Sequence, residues 1–183
     1  MDQKKNLRKK YYYLRKKKYY DIDQEFFFPL IKLIKSKLKR KNLNLALYYP
    51  SNFELNVLKF LENDYMKNKD VLLPSIERQN NMNFYSWKKN QALFVNQFGM
   101  LEPNKTKIKI PNIMLVPILA FDKKNYRLGY GKGFYDRYLI KYLKKFKNIH
   151  SVGVAFSFQK YHKLPKDKND VKLNYILTEK GIH

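Results

Sequence analysis

The sequence predicts a single-domain α/β fold, a layered α/β/α arrangement around a mainly parallel, Rossmann-like sheet. Three observations carry this expectation. Short apolar runs of strand length alternate with segments of helical period along the 183 residues. Hydrophobic residues make up 44% of the chain and aromatics 16%, enough to fill a core and too much for a disordered protein. No internal repeat and no linker divides the chain, so residues 1–183 read as one domain whose basic, helical N-terminal segment (to about residue 40) packs on the α/β core.

Residues 4–20 place Leu7, Tyr11 and Leu14 at helical spacing among cations. Asp21 or Asp23 can cap a second helix running to Arg40, with Ile31, Ile34 and Leu38 on one face. Leu43–Tyr49 alternates as a strand does, and Pro50-Ser51-Asn52 ends it. Phe53, Val57, Phe60, Leu61 and Tyr65 return to helical period. Val71–Leu73 is a short strand stopped by Pro74, and Asn83–Trp87 is another candidate. Ile113–Pro117 is a buried-type strand. From Phe134 a helix is expected, with Phe134, Tyr138, Tyr142 and Phe146 in one stripe. Ser151–Phe156 and Tyr175–Leu177 are the last strands.

The net charge of +24 points first toward a polyanionic partner. Two features argue against a dedicated nucleic-acid function. Arginine stands only at Arg8, Arg15, Arg40, Arg78, Arg127 and Arg137, and the lysines are spread along the chain instead of forming a tract. Abundant Lys, Asn, Tyr, Phe and Ile also match a drift toward A/T-rich codons. The absence of cysteine excludes disulfides, thiolate metal sites and a cysteine nucleophile. His150, His162 and His183 show no short metal-ligand spacing. The first twenty residues are too charged for a secretion signal, and lysines interrupt the apolar run 26–38, so a cytoplasmic protein without a membrane partner is expected.

The stretch Val116–Leu139 carries the chemistry. It supplies two cations (Arg127, Lys132), three alternating glycines (Gly129, Gly131, Gly133) and a carboxylate (Asp136) just inside a helix. Glycines let the backbone approach a ligand, and consecutive N–H groups with a helix N-terminus can surround phosphate oxygens. The spacing is neither a Walker A motif nor the G-x-G-x-x-G dinucleotide fingerprint. By pattern alone the loop reads equally as a turn or as a phosphate cradle. Asp136 reads as a first-turn acid or as a magnesium ligand, and Asp170 as a second ligand or a solvated loop acid.

Pro117-Ile118-Leu119-Ala120-Phe121-Asp122 followed by Arg127-Leu128-Gly129-Tyr130-Gly131-Lys132-Gly133-Phe134-Tyr135-Asp136-Arg137-Tyr138-Leu139 resembles the strongest segment of the 5-formyltetrahydrofolate cyclo-ligase family. Lys4 with Leu7-Arg8, Tyr49 with Glu54, Gly99–Pro103, Val152–Phe156 and Leu173–Glu179 resemble further parts of it. The resemblance implies ATP- and Mg²⁺-dependent closure of 5-formyltetrahydrofolate to 5,10-methenyltetrahydrofolate. ADP and phosphate are released, and the formyl oxygen is phosphorylated on the way. Separately, a monomer is expected, and the basic surface suggests polyglutamylated folates as partners. The resemblance also implies ATP contacts from Lys4, Lys5, Leu7, Arg8, Arg127, Leu128, Gly129, Tyr130, Gly131, Lys132, Gly133, Phe134 and Tyr135. Among these, Lys132, Arg127 and Tyr135 would be catalytic. Tyr49, Glu54, Phe98 and the loop Tyr130–Phe134 would contact folate, and Asp136 and Asp170 would hold Mg²⁺. Asn169 and Asn174 depart from the family's usual His and Asp. Two other classes stay open: a basic RNA-binding protein with a structural glycine loop, and a folate-binding protein without turnover.

Overall fold

In a computed structural model the chain is described at residues 3–38, 43–143, 145–146 and 149–183. Helix α1 (Gln3–Lys18) leads into a 3₁₀ turn (Gln24–Phe27) and helix α2 (Phe28–Leu33), which widens into a π turn at Ile34–Leu38. Asp23 caps this second unit by accepting from the N–H groups of Glu25 and Phe26. Ile31 and Ile34 are buried as the periodicity requires. Arg40, the expected end, and the Leu38 side chain lie outside the described residues.

The strands follow as β1 (Leu45–Ala46), β2 (Val71–Ile76), β3 (Met82–Trp87), β4 (Leu93–Val95), β5 (Leu101–Pro103) and β6 (Ile113–Pro117). After them come β7 (Ala120–Asp122), β8 (Arg127–Leu128), helix α3 (Phe134–Leu143), β9 (His150–Val154), β10 (Lys160–Tyr161), β11 (Tyr175–Thr178) and β12 (Gly181–Ile182). Among the described residues the main sheet has the order β12-β11-β9-β6-β1-β2-β3. Its interior pairings are parallel, and only the edge pairs β2–β3 and β11–β12 are antiparallel.

Strand alternation divides the core into two layers. Leu45, Leu47, Ile113, Leu115 and Val152 face Phe27, Leu30 and Phe60 on one side. Ala46, Met114, Val116 and Ile176 face Tyr138 and Leu139 of α3 on the other. Phe27 stacks on Phe60 at 4.8 Å, and each such fully buried side chain contributes roughly 1.5–3 kcal/mol. Leu7 and Tyr11 of α1 pack on Leu119, Leu128 and Leu164, beside the small sheet β10-β7-β8. The layered α/β/α expectation holds.

Three local expectations change. The segment 53–65 forms 3₁₀ turns at Val57–Glu62 and Asp64–Met66 instead of one α-helix. Asn56 and Asn63 each turn a side-chain oxygen onto a backbone N–H two residues on, which competes with helix propagation. Val57 and Phe60 are nevertheless buried. Strand β2 runs through Pro74, because its pairing with β1 ends at Leu72 and the missing N–H falls beyond that ladder. The run Leu43–Tyr49 keeps ladder pairing only at Leu45–Ala46.

Candidate functional site

A cavity of about 820 Å³ opens at the carboxyl ends of β1, β2 and β6, between the glycine loop, the first turns of α1, and the β4–β5 hairpin. Such a position is where open α/β sheets bind ligands, and the volume is at the upper end of the roughly 300–1,000 Å³ usual for small-molecule sites.

Part of its lining is cationic. Lys4 and Arg8 are one helical turn apart and both line it. Leu7 sits on the adjacent stripe and is buried, while Lys5 is exposed; neither lines the cavity. Arg8 lies across the glycine loop, its Nε donating to the Gly129 carbonyl at 3.0 Å. A Cβ on Gly131 would meet the Arg8 guanidinium at 3.2 Å, and φ of +99° there already favours glycine. Gly133, with φ of +68°, would meet Arg137 at 3.0 Å. Arg137 in turn donates to the Lys132 carbonyl. The Lys132 ammonium sits 5.5 Å from the centre of the Phe98 ring, and Phe98 also packs on Phe134.

Arg127 and Asp136 form a 2.8 Å ion pair, and Asp136 also accepts from the Val171 N–H. That bond sets Asp136 beside the 167–171 loop. Within the loop Asp170 pairs with Lys4 at 2.6 Å, as does Asp167. Partial burial pulls the Lys4 ammonium down, but hydrogen bonds and charge from the two aspartates outweigh it and leave its pKa raised. The sequence-expected metal ligands are therefore close in space, each beside a cation. Among the described residues no cluster of three or more His, Asp or Glu could hold a metal unaided. Two carboxylates fit Mg²⁺ where phosphate oxygens and water complete the shell.

The rest of the lining is less charged and includes Tyr49, Ile76, Met82, Phe98 and Met100, with the carboxylate of Glu54. Glu54 is only 6% exposed and accepts from the Ser51 N–H at 2.9 Å. Burial raises its pKa above the ordinary value, against the opposing pull of the Ser51 N–H, Arg15 and the Tyr130 hydroxyl. The Tyr135 hydroxyl is buried and has no hydrogen-bond partner among the described residues. Burial first, and the nearby Glu54 charge second, push it well up, so it is a neutral donor.

Two residues escaped the sequence reading. Glu102, within the G-x-x-E-P segment, accepts from Ser75 Oγ, the Ile76 N–H and Asn96 Nδ2, tying the β4–β5 hairpin to β2. Arg15 is 1% exposed beneath the glycine loop. The available signal was an arginine in a lysine run, at helical spacing from Arg8. Asp122 is a turn former, as its local sequence suggests: it accepts from the N–H groups of Lys124, Tyr126 and Leu164. Among the described residues no helix is long and apolar enough to cross a membrane.

Residues 1–179 match the 5-formyltetrahydrofolate cyclo-ligase family. The chain is 34% identical over 147 residues to the 5-formyltetrahydrofolate cyclo-ligase of Haemophilus influenzae, covering 76% of this chain and 78% of that one. It is 36% identical over 138 residues to that of Mycoplasma genitalium, covering 73% and 71%. Among solved structures it resembles the 5,10-methenyltetrahydrofolate synthetase of Aquifex aeolicus, with a TM-score of 0.71 at 32% identity, covering 98% of this chain and 91% of that one. The Mycoplasma pneumoniae synthetase gives 0.70 at 27% identity, covering 97% and 98%.

Proposed function

Because the chain belongs to the 5-formyltetrahydrofolate cyclo-ligase family, we propose that its cavity holds MgATP and 5-formyltetrahydrofolate side by side and couples ATP cleavage to ring closure. As a cyclo-ligase the chain is an enzyme of folate one-carbon chemistry. The observation that carries the reading is one cavity that joins a glycine loop and the cations Lys4, Arg8, Arg127 and Lys132 to a buried carboxylate, Glu54.

A formamide oxygen is a poor leaving group. In the proposed reaction it attacks the γ-phosphorus of ATP, the bond to the bridging oxygen breaks, and ADP departs. The neighbouring folate nitrogen then attacks the formyl carbon and gives up its proton. Phosphate leaves with the carbon–oxygen electron pair and carries the former formyl oxygen.

Lys4, Arg8, Arg127 and Lys132 neutralise the phosphates, with Lys132 and Arg127 on the moving phosphoryl group. Backbone N–H groups of Gly129–Gly133 complete the cradle. Asp136 and Asp170 would hold Mg²⁺, which would supply positive charge against the phosphates. Glu54 accepts from the donor edge of the pterin, while Tyr49, Phe98 and Tyr130 pack on the rings. The Tyr135 hydroxyl, buried between Glu54 and Arg127, has a proton to give to a bound oxygen. The surrounding lysines favour the anionic tails of polyglutamylated folates, and affinity independent of tail length would exclude that preference.

The test is incubation with 5-formyltetrahydrofolate, with and without MgATP. ATP-dependent growth of the near-UV methenyl chromophore is the expected result. Folate binding with no chromophore would instead make the protein a folate binder without turnover.

A further inference from the structure

Four of the chain's six arginines surround the glycine loop. Arg8 crosses it, Arg127 precedes it and Arg137 holds its far end. Arg15 lies beneath it and does not line the cavity. One guanidinium nitrogen of Arg15 donates to the Ile118 carbonyl at 3.2 Å. The other donates to the Asn52 carbonyl at 2.7 Å and to the Tyr130 hydroxyl. Tyr130 is exposed along its ring, yet its hydroxyl turns inward, where it also hydrogen-bonds the Glu54 carboxylate. Arg15 thus joins the turn after β6, the loop after β1 and the glycine loop. A lysine could not span them, since the contacts use the two arms of a planar fork.

We propose that Arg15 is a positioning residue: acting through the Tyr130 hydroxyl, it fixes the glycine loop against Glu54 and so sets affinity for the folate without touching either ligand. The proposal rests on the cyclo-ligase reading of the site, which wild-type turnover tests separately. Burying a guanidinium is unfavourable unless it is paired, and here its charge is opposed by Glu54 across Tyr130. The other groups facing Glu54 are the hydroxyls of Tyr48 and Tyr135 and the Ser51 N–H and hydroxyl, and Arg15 is a cation whose charge opposes the upward pull of burial on Glu54.

The experiment is steady-state kinetics on Arg15→Lys, Arg15→Gln, Tyr130→Phe and the Arg15→Lys/Tyr130→Phe double variant, with thermal unfolding alongside. Tyr130→Phe and Arg15→Lys should each raise the folate KM about ten-fold while the ATP KM stays within about two-fold. The double variant should fall short of the product of the single effects, because both remove the same link. Arg15→Gln, which deletes the charge, should also shift the acid limb of kcat/KM for folate to higher pH; Arg15→Lys should leave that limb in place. Single effects that multiply in the double variant, or an acid limb unmoved in Arg15→Gln, would overturn the proposal. So would a lowered melting temperature with unchanged folate KM, which marks a purely structural role. If the Arg15 variants do not fold, Tyr130→Phe decides alone: an unchanged folate KM sinks the idea.

Discussion

Lys4 and Asp170 stand 2.6 Å apart although 166 positions separate them in sequence. The contact ties the first turn of α1 to the loop before β11 at the cationic end of the cavity. The cation expected on ATP and the carboxylate expected on Mg²⁺ are thus paired with each other. Under the proposed function, MgATP would give each a new partner of the right sign, so the exchange would leave little charge uncompensated.

Substituting the two carboxylates should have different consequences. Asp170→Asn should raise the Mg²⁺ concentration needed for half-maximal rate with little effect on folding, because Lys4 retains Asp167. Asp136→Asn should weaken Mg²⁺ dependence and also destabilise the fold by about 1–3 kcal/mol, since the Arg127 side chain it leaves is only 4% exposed. Metal titrations with thermal unfolding separate the two. Unaltered titrations in both variants would remove the aspartates from metal binding.

Lys132→Ala should cripple phosphate handling with the fold intact. The residue is exposed on the loop, where substitutions usually change stability by less than about 0.5 kcal/mol. The turnover number should fall and the ATP KM rise at constant melting temperature. Unchanged kinetics would take Lys132 out of the site.

Gly131→Ala tests the cradle. The new methyl would occupy a backbone conformation with φ of +99° and press on Arg8, a strain of roughly 1–2 kcal/mol. Titration with a non-hydrolysable ATP analogue should show weakened binding, while folate binding without nucleotide should persist. Equal nucleotide affinity in the variant would mean that the loop does not hold phosphate.

The pH dependence should follow Glu54. Burial raises its pKa above the ordinary 4.5, so it is ionised, and able to accept from the pterin, only above that raised value. kcat/KM for folate should therefore fall as pH drops through it. Glu54→Gln should lose folate affinity and flatten this acid limb. A limb that persists unchanged in Glu54→Gln belongs to another group.

The layered fold was legible because periodicity reports burial directly: Ile113–Pro117 and the Tyr138 stripe of α3 are where their spacing puts them. The segment 53–65 was not, since its asparagine caps act through side-chain bonds that apolar spacing does not encode. The glycine loop could be located from its residues, yet its ligand could not be read from spacing, only from the resemblance. Arg15 showed in the sequence only as an arginine in a lysine run. Its role depends on Ile118, Asn52 and Tyr130, which only the folded chain brings together.

In the proposed reaction the formyl oxygen leaves as part of phosphate. Turnover of 5-formyltetrahydrofolate labelled with ¹⁸O in the formyl group, in unlabelled water with MgATP, tests this most directly. Each methenyl product formed should be matched by one phosphate carrying a single ¹⁸O atom. Unlabelled phosphate, with the ¹⁸O recovered in water, would contradict it.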